Sequence, residues 1–244
     1  MMKLAEFLLR FRRVVLTLVF AIAFWAPWER VGRAHPGSTW LWLAGTLTAI
    51  GFFSIAISTL LVISTATLAL LLAALVRTWA AAYPASDVAH DRDIVSPRVV
   101  ADGPYRYVRN PLYVGTWLLT TALCILMPPG GALFALVAVT LLIAAWVIAE
   151  ERKLTIKRGE GYAAYQKKVP RFFPAIVPRI PEGTAQPHWL QGFLREIHLW
   201  GMTITYLIFA HRYKATILEQ GVLISLGITL LVRAVRYPST PANS

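Results

Sequence analysis

The residue types that could do chemistry lie in three short stretches: GPYRYVRNPLYVG at 103–115, the acidic pair Glu150-Glu151, and Lys168-Val169-Pro170-Arg171. The first sets Arg106 and Arg109 among tyrosines and breaks at Asn110-Pro111, just before an uncharged run that begins at Leu112. A proline restricts the residue ahead of it and is tolerated in a first helical turn, so Pro111 reads as a helix start with both arginines left outside. Two permanent guanidiniums and two tyrosines, Tyr105 and Tyr113, then stand over a helix mouth. Guanidiniums fork onto carboxylates or phosphates, aromatic faces accept a cation, and a carboxylate can hold an ammonium or hydroxyls.

Each feature has a plainer alternative. Glu150 and Glu151 can be helix-end charges paired with Arg152 and Lys153, and adjacent helical residues do not share a face, so at most one carboxylate points into a given pocket. Asn110 can be a helix cap and Tyr113 an interfacial aromatic, whereas their i, i+3 spacing lets both face the same space.

The elements that must position these groups are strongly apolar. Of 244 residues, 57% are hydrophobic and 15% charged, and the mean hydropathy is +0.58, well above an ordinary soluble domain. Twenty-four Lys and Arg against twelve Asp and Glu give a net charge of +12. The basic residues sit in short loops beside apolar spans, the positive-inside pattern of a membrane protein rather than the footprint of a nucleic-acid binder. Cys124, the single cysteine, lies in an apolar run, which excludes a disulfide framework. His35, His90 and His188 fall in loops and His198 and His211 flank a late span, without metal-type spacing, so no metal site is expected.

Along the chain, 14–28 is apolar but short of the ~20 residues of a full crossing, so it spans with help from Leu8 and Leu9 or lies in the interface, anchored by Trp25 and Trp28. Arg10, Arg12 and Arg13 precede it without a cleavage pattern, which reads as an anchor rather than a signal peptide. The uncharged run 39–76 is too long for one crossing and divides into two helices, with a break expected near 58–64. Arg77 and Trp79 close the second, and 84–102 is a polar loop. Runs 112–127 and 132–149 are joined by Pro128-Pro129-Gly130-Gly131, a connection so short that it predicts a helical hairpin. Such a hairpin returns Glu150-Glu151 to the side of Arg106 and Arg109.

Residues 150–168 then form a charged interfacial helix, ended by Gly159 to Gly161 or by Pro170, and a Pro-rich tail runs to Pro187. Arg195 and Glu196 read as an interfacial pair ahead of two more apolar runs, 197–210 and 217–232. The expected fold is all-α, a polytopic transmembrane bundle of about six or seven membrane helices. It divides into N-terminal membrane helices (1–84), a core (85–174), and a Pro-rich linker with two C-terminal membrane helices (175–244). Arg92, Arg98, Arg106 and Arg109 share a face with Arg152, Lys153, Lys157, Arg158, Lys167 and Lys168, opposite the uncharged turn, so that face is expected to be cytoplasmic. One conflict stands: three crossings before Pro84 would put Arg10 to Arg13 on the other side.

GPYRYVRNPLYVG, a two-helix hairpin and EERKLTIKRGEGYAAYQKKVPRFFP, in that order, resemble the isoprenylcysteine carboxyl methyltransferase and phospholipid N-methyltransferase superfamily of integral-membrane enzymes, over residues 77–174. The resemblance implies S-adenosylmethionine as methyl donor in a cytosolic cofactor cleft. It implies Tyr105, Asn110, Pro111, Tyr113, Gly115, Glu150 and Glu151 as cofactor-site residues, Arg109 and Arg171 as catalytic candidates at the reacting end, and Arg106 and Lys168 as substrate-binding candidates. Many members carry His where this chain has Asn110, and an amide can hydrogen-bond but cannot titrate. The implied activity is methyl transfer to a lipophilic acceptor entering from the bilayer, an isoprenylcysteine-type carboxylate or related lipid. The alternatives are a phosphatidylethanolamine N-methyltransferase and an NADPH-dependent sterol-type reductase, whose motifs end similarly. Methyl transfer asks the protein mainly to align the reactants and exclude water. A carboxylate acceptor is already ionised at pH 7 whereas an amine must lose a proton, and the motifs offer no general base, which favours a pre-ionised acceptor. The implied partners are the bilayer and that acceptor, with no nucleic acid; the oligomeric state is left open. A transporter should line a path with charges, and 39–76 and 112–149 hold none.

Overall fold

The computed structural model describes residues 9–30, 37–83, 101–212 and 215–236, and over these it is all-helical. Leu8, His35, His90, Arg92, Arg98 and the part of the expected polar loop at 84–100 lie outside the described residues. The helices are α1 (Arg12–Trp25), α2 (Thr39–Ala49), α3 (Ile55–Ala82), α4 (Pro111–Cys124), α5 (Pro129–Lys168), α6 (Trp189–Arg195), α7 (Ile197–Arg212) and α8 (Ala215–Arg236), with single 3₁₀ turns at Trp28–Arg30 and Gly103–Arg106. Among them, α3 and α5 are long and apolar enough to cross a membrane.

The run 39–76 does divide, but earlier than 58–64. Gly51 adopts φ +88, a conformation natural to glycine, and Ser54 restarts the helix by accepting a hydrogen bond from the Ile57 amide on its side chain. No residue in 58–64 offers both a turn and a cap, so the chain breaks where a glycine and a serine stand three residues apart. The result is an 11-residue α2, which at 1.5 Å per residue covers only about 16 Å and folds back against α3. Its Thr48 hydroxyl donates to Ser58, and Trp40, Leu43 and Leu47 pack on the Val62–Leu70 side of α3.

That short helix removes the orientation conflict. Helix α1 lies antiparallel to the apolar part of α5: Arg12 pairs with Glu150, Val19 packs near Val139 and Ile143, and Ala23 meets Gly131. It therefore runs from the Glu150 end of the bundle to the hairpin turn, where Thr39 and Trp40 donate backbone bonds to Met127 and Ile125. The chain returns once through α3 and not twice, so the Arg12 end, Glu150 and Asn110 lie at the same end of the bundle.

The 112–127 and 132–149 hairpin forms as expected, with Pro111 and Pro129 in the first turns of α4 and α5. Helix α5 then continues through the charged segment to Lys168, interrupted at Gly159 (φ 57, ψ −135), so both candidate stops are used, one as a kink and one as an end. Small residues let the helices approach closely where there is no water to drive burial. Gly131 lies directly against the Ala23 carbonyl, and an added Cβ would overlap that oxygen. Gly131→Ala is accordingly expected to push α1 off α5 and destabilise the protein by about 1–3 kcal/mol, seen as a lower thermal midpoint in detergent; Gly227→Ala, in open space, serves as the neutral control.

Candidate active site

The head of α4 is shaped by its own sequence. Gly103 takes φ +57 with the Tyr83 ring where a side chain would be, and Pro104 opens the 3₁₀ turn that carries Tyr105 and Arg106. Asn110 precedes Pro111, and its backbone carbonyl accepts the Tyr113 and Val114 amides, each at 3.1 Å. Its side chain makes no capping bond. Instead, Asn110 Nδ2 donates to Glu151 Oε1 at 3.0 Å and to the Arg171 carbonyl at 3.1 Å.

Glu151 is the centre of the site. Although it sits just past the apolar part of α5, where the helix turns charged, it is 3% exposed, and its partners come from far along the chain. Arg109 Nε lies 3.2 Å from Oε1, close but off the hydrogen-bond axis; Arg171 Nε donates to Oε2 at 3.1 Å and Arg171 Nη2 lies 3.1 Å from the same oxygen. Gln166 Nε2 adds a weak contact at 3.4 Å. Two guanidiniums on one carboxylate leave one positive charge in excess, and Arg171, with its side chain 55% exposed, is the part of the cluster open to a ligand. Arg109 is fixed further by Nη1 donating to the Gln166 carbonyl. Glu150 faces elsewhere, as adjacent helical residues must: it pairs with Arg12 at 2.9 Å and is the charged neighbour of the Tyr113 hydroxyl.

The segment after α5 is laid along the motif loop instead of hanging free. Pro170, Tyr107 and Arg106 carbonyls accept the Arg109, Ala175 and Arg179 amides in the order Arg109 to Pro170, Ala175 to Tyr107 and Arg179 to Arg106. The Asp102 carboxylate, buried, accepts the Gly183 and Ala185 amides. Residues 170–188 thus form a strap over the loop, and Phe172 descends between α4 and α5 onto Trp117. Tyr165 donates to the Tyr105 carbonyl at 2.8 Å. Burial, reinforced by the Glu150 charge, pushes the Tyr105 phenol up to about 12, so it is neutral at physiological pH.

The structure therefore brings Arg109, Asn110, Glu151 and Arg171 together, with Tyr113 and Glu150 beside them. Pro111 is buried in the first turn of α4. Gly115 is turned to the other side, against the Arg77 stem. Arg106 is directed at the strap, with Nε donating to the Ile180 carbonyl and Nη1 near Glu182, and Lys168 is exposed at the end of α5. Glu196 is not paired with Arg195 at an interface; it is buried and forked by Arg77. Asp102, Gln166 and Phe172 escaped sequence reasoning because nothing local marks them: their partners lie 15 to 83 residues away.

The Tyr113 hydroxyl is buried beside the Glu150 carboxylate without an aligned hydrogen-bond partner among the described residues, and its ring lies beside fully buried Trp146, with the ring centroids 6.2 Å apart. The two carboxylates differ in what they support. Glu151→Ala strands the buried Arg109 and is expected to destabilise the fold by about 3–5 kcal/mol, whereas Glu150→Ala loses a pair with half-exposed Arg12 and is expected to cost under about 1 kcal/mol. Thermal midpoints of the two variants in one detergent compare them directly.

Residues 48–158 match the model of the family described as phospholipid methyltransferase. A methanethiol S-methyltransferase from Crocosphaera subtropica is 39% identical over 72 residues, a match that takes in 30% of this chain and 28% of that protein. The match thus spans under a third of that relative's length. No solved structure matches the chain. The matched region runs from the end of α2 to the residue before the Gly159 kink and contains the loop, the hairpin and both glutamates. That region, under half of the chain, is similar to the family described as phospholipid methyltransferase.

Proposed function

We propose that the protein is a multi-pass membrane enzyme that moves a methyl group from S-adenosylmethionine to a lipophilic acceptor, with its site on the cytoplasmic side. The observation that carries this reading is Glu151, a carboxylate buried just past the apolar part of α5 and held by residues from the motif loop and the strap. When bound, S-adenosylmethionine supplies an electrophilic methyl on a sulfonium. The Tyr113 ring provides an aromatic face for that cation, and Glu150 a carboxylate for hydroxyls or an ammonium. Arg171, the exposed guanidinium, and Arg109 present positive charge to the acceptor end, with Arg106 and Lys168 further out along the strap.

The positive excess around Glu151 favours an acceptor that arrives as an anion. A lipid carboxylate of the isoprenylcysteine type satisfies this without a base, which the loop does not provide: Asn110 cannot titrate and Tyr105 stays neutral. An amine acceptor such as phosphatidylethanolamine would need to lose a proton first, and the Glu150-Glu151 pair after the hairpin favours a methyl donor over the nicotinamide of a sterol-type reductase. A second reading is favoured by the relative that is named as a methanethiol S-methyltransferase: a thiolate is also an anion, although a thiol, unlike a carboxylate, must first give up its proton. The bilayer delivers a lipophilic acceptor from the side, its tail in hydrocarbon and its polar end at the loop.

Arg171→Ala and Glu150→Ala, both of partly exposed side chains, are expected to fold and to lower methyl transfer at least about a hundredfold, in line with loss of an aligned charged contact. Radiolabelled methyl transfer by purified protein in lipid measures this, and full activity in both variants would remove the assignment. Mass spectrometry of lipid extracts from cells with and without the protein is expected to reveal an acid or thiol heavier by one methyl.

A further inference from the structure

Behind the site, on the side of α4 turned away from Glu151, lies a second ion pair. Arg77, near the end of α3, forks onto Glu196, with Nε donating to Oε2 at 2.8 Å and Nη2 to Oε1 at 2.9 Å. The remaining Nη1 reaches the start of α4, where it donates to Thr116 Oγ1 at 2.8 Å and to the Leu112 carbonyl at 3.2 Å. The Thr116 hydroxyl donates its own hydrogen bond to the same Leu112 carbonyl at 2.9 Å. Gly115 makes this possible, because a Cβ there would collide with the Arg77 stem. The Arg77 side chain is 20% exposed and that of Glu196 is 7% exposed. A bidentate pair this enclosed, with three of its donors committed to named acceptors, fixes geometry more than it adds stability.

Leu112 and Thr116 lie one turn apart on the α3 side of α4, whereas Tyr113 and Trp117 lie one turn apart on the α5 side, against Trp146 and Thr140. Helix α4 is therefore gripped from two directions, and its rotation decides where Asn110 and Tyr113 point. Glu196 lies beyond the residues that match the family, in the C-terminal helices, whose α6 is docked on the end of α3 by Gly192 against the Thr78 carbonyl and by the His188 amide on the Ala82 carbonyl.

We propose that Arg77 and Glu196 are positioning residues for the candidate site: the pair sets the height and rotation of the first turn of α4, so that the C-terminal helices hold Asn110 and Tyr113 in place from behind. Its activity readout rests on the methyltransferase reading, and its structural readout does not. The test is Arg77→Met with Glu196→Leu, which removes both charges together so that neither is left buried alone. Amide hydrogen exchange at Tyr113 and Val114, whose bonds to the Asn110 carbonyl close the first turn, reads the positioning without any ligand.

The double variant is expected to keep its thermal midpoint and its exchange in the middle of α7, to exchange about tenfold faster at Tyr113 and Val114, and to bind S-adenosylmethionine about tenfold more weakly. Parent-like exchange and affinity in a folded double variant overturn the proposal. If the parent protein itself binds no S-adenosylmethionine, the methyltransferase reading fails, and the exchange data still decide the role of the pair. If the double variant does not fold, Thr116→Val, which keeps the ion pair but removes the hydroxyl between Arg77 and Leu112, takes its place: faster exchange and weaker binding, both restored by Thr116→Ser, support the proposal, and no change overturns it.

Discussion

A carboxylate withdrawn from water must find its compensation in the protein, and at Glu151 that need organises the end of the bundle where the motif loop, α5 and the strap meet. The charge is tolerable there only because Asn110, Arg109 and Arg171 arrive together. Each of the three has a structural cost of its own. Asn110 gives up the cap of α4, Arg109 is itself buried, and Arg171 requires the chain to turn back after Lys168. The hairpin between α4 and α5, the kink at Gly159 and the strap from 170 onward are the elements that let three distant groups meet one side chain.

The strap shows how function-bearing geometry can be built from residues with no regular structure. Its prolines prevent it from forming a helix or joining a sheet, and its amides are instead satisfied by carbonyls of the motif loop and by Asp102. Loop and strap supply one another's missing hydrogen bonds, and neither would hold its shape in the same way without the other. The exposed Phe173, Ile176 and Val177 on the strap leave its outer side apolar, beside the basic end of α5.

Much of this could be read from the residues in order. Proline at Pro111 and at Pro129 announces helix starts, the four-residue Pro-Pro-Gly-Gly turn compels a hairpin, and the hairpin compels the return of the glutamates to the motif loop. The periods of apolar sequence were equally plain, so the all-helical character followed. What was hidden was whatever depended on a partner distant in sequence. The break at Gly51 was missed because a long uncharged run offers no contrast from which to choose among several small residues. Arg77 and Glu196 looked like ordinary ends of apolar segments, and only the docking of α6 on α3 makes them one unit. The roles of Arg106, Gly115 and Lys168 came from the resemblance alone, and each of the three side chains or Cα positions faces away from Glu151, toward the strap, α3 and solvent.

The distance along the chain between Arg77 and Glu196 has a bearing on biogenesis. A ribosome delivers the arginine 119 residues ahead of its counter-charge, and delivers Glu151 20 residues ahead of Arg171. During insertion α3 must accordingly enter the bilayer with an unmatched cation near its trailing edge, kept at the lipid headgroups until α7 emerges. The loop that carries Asn110 is translated after Arg77 but before Glu196, so the grip on α4 from behind is completed only when the C-terminal helices emerge.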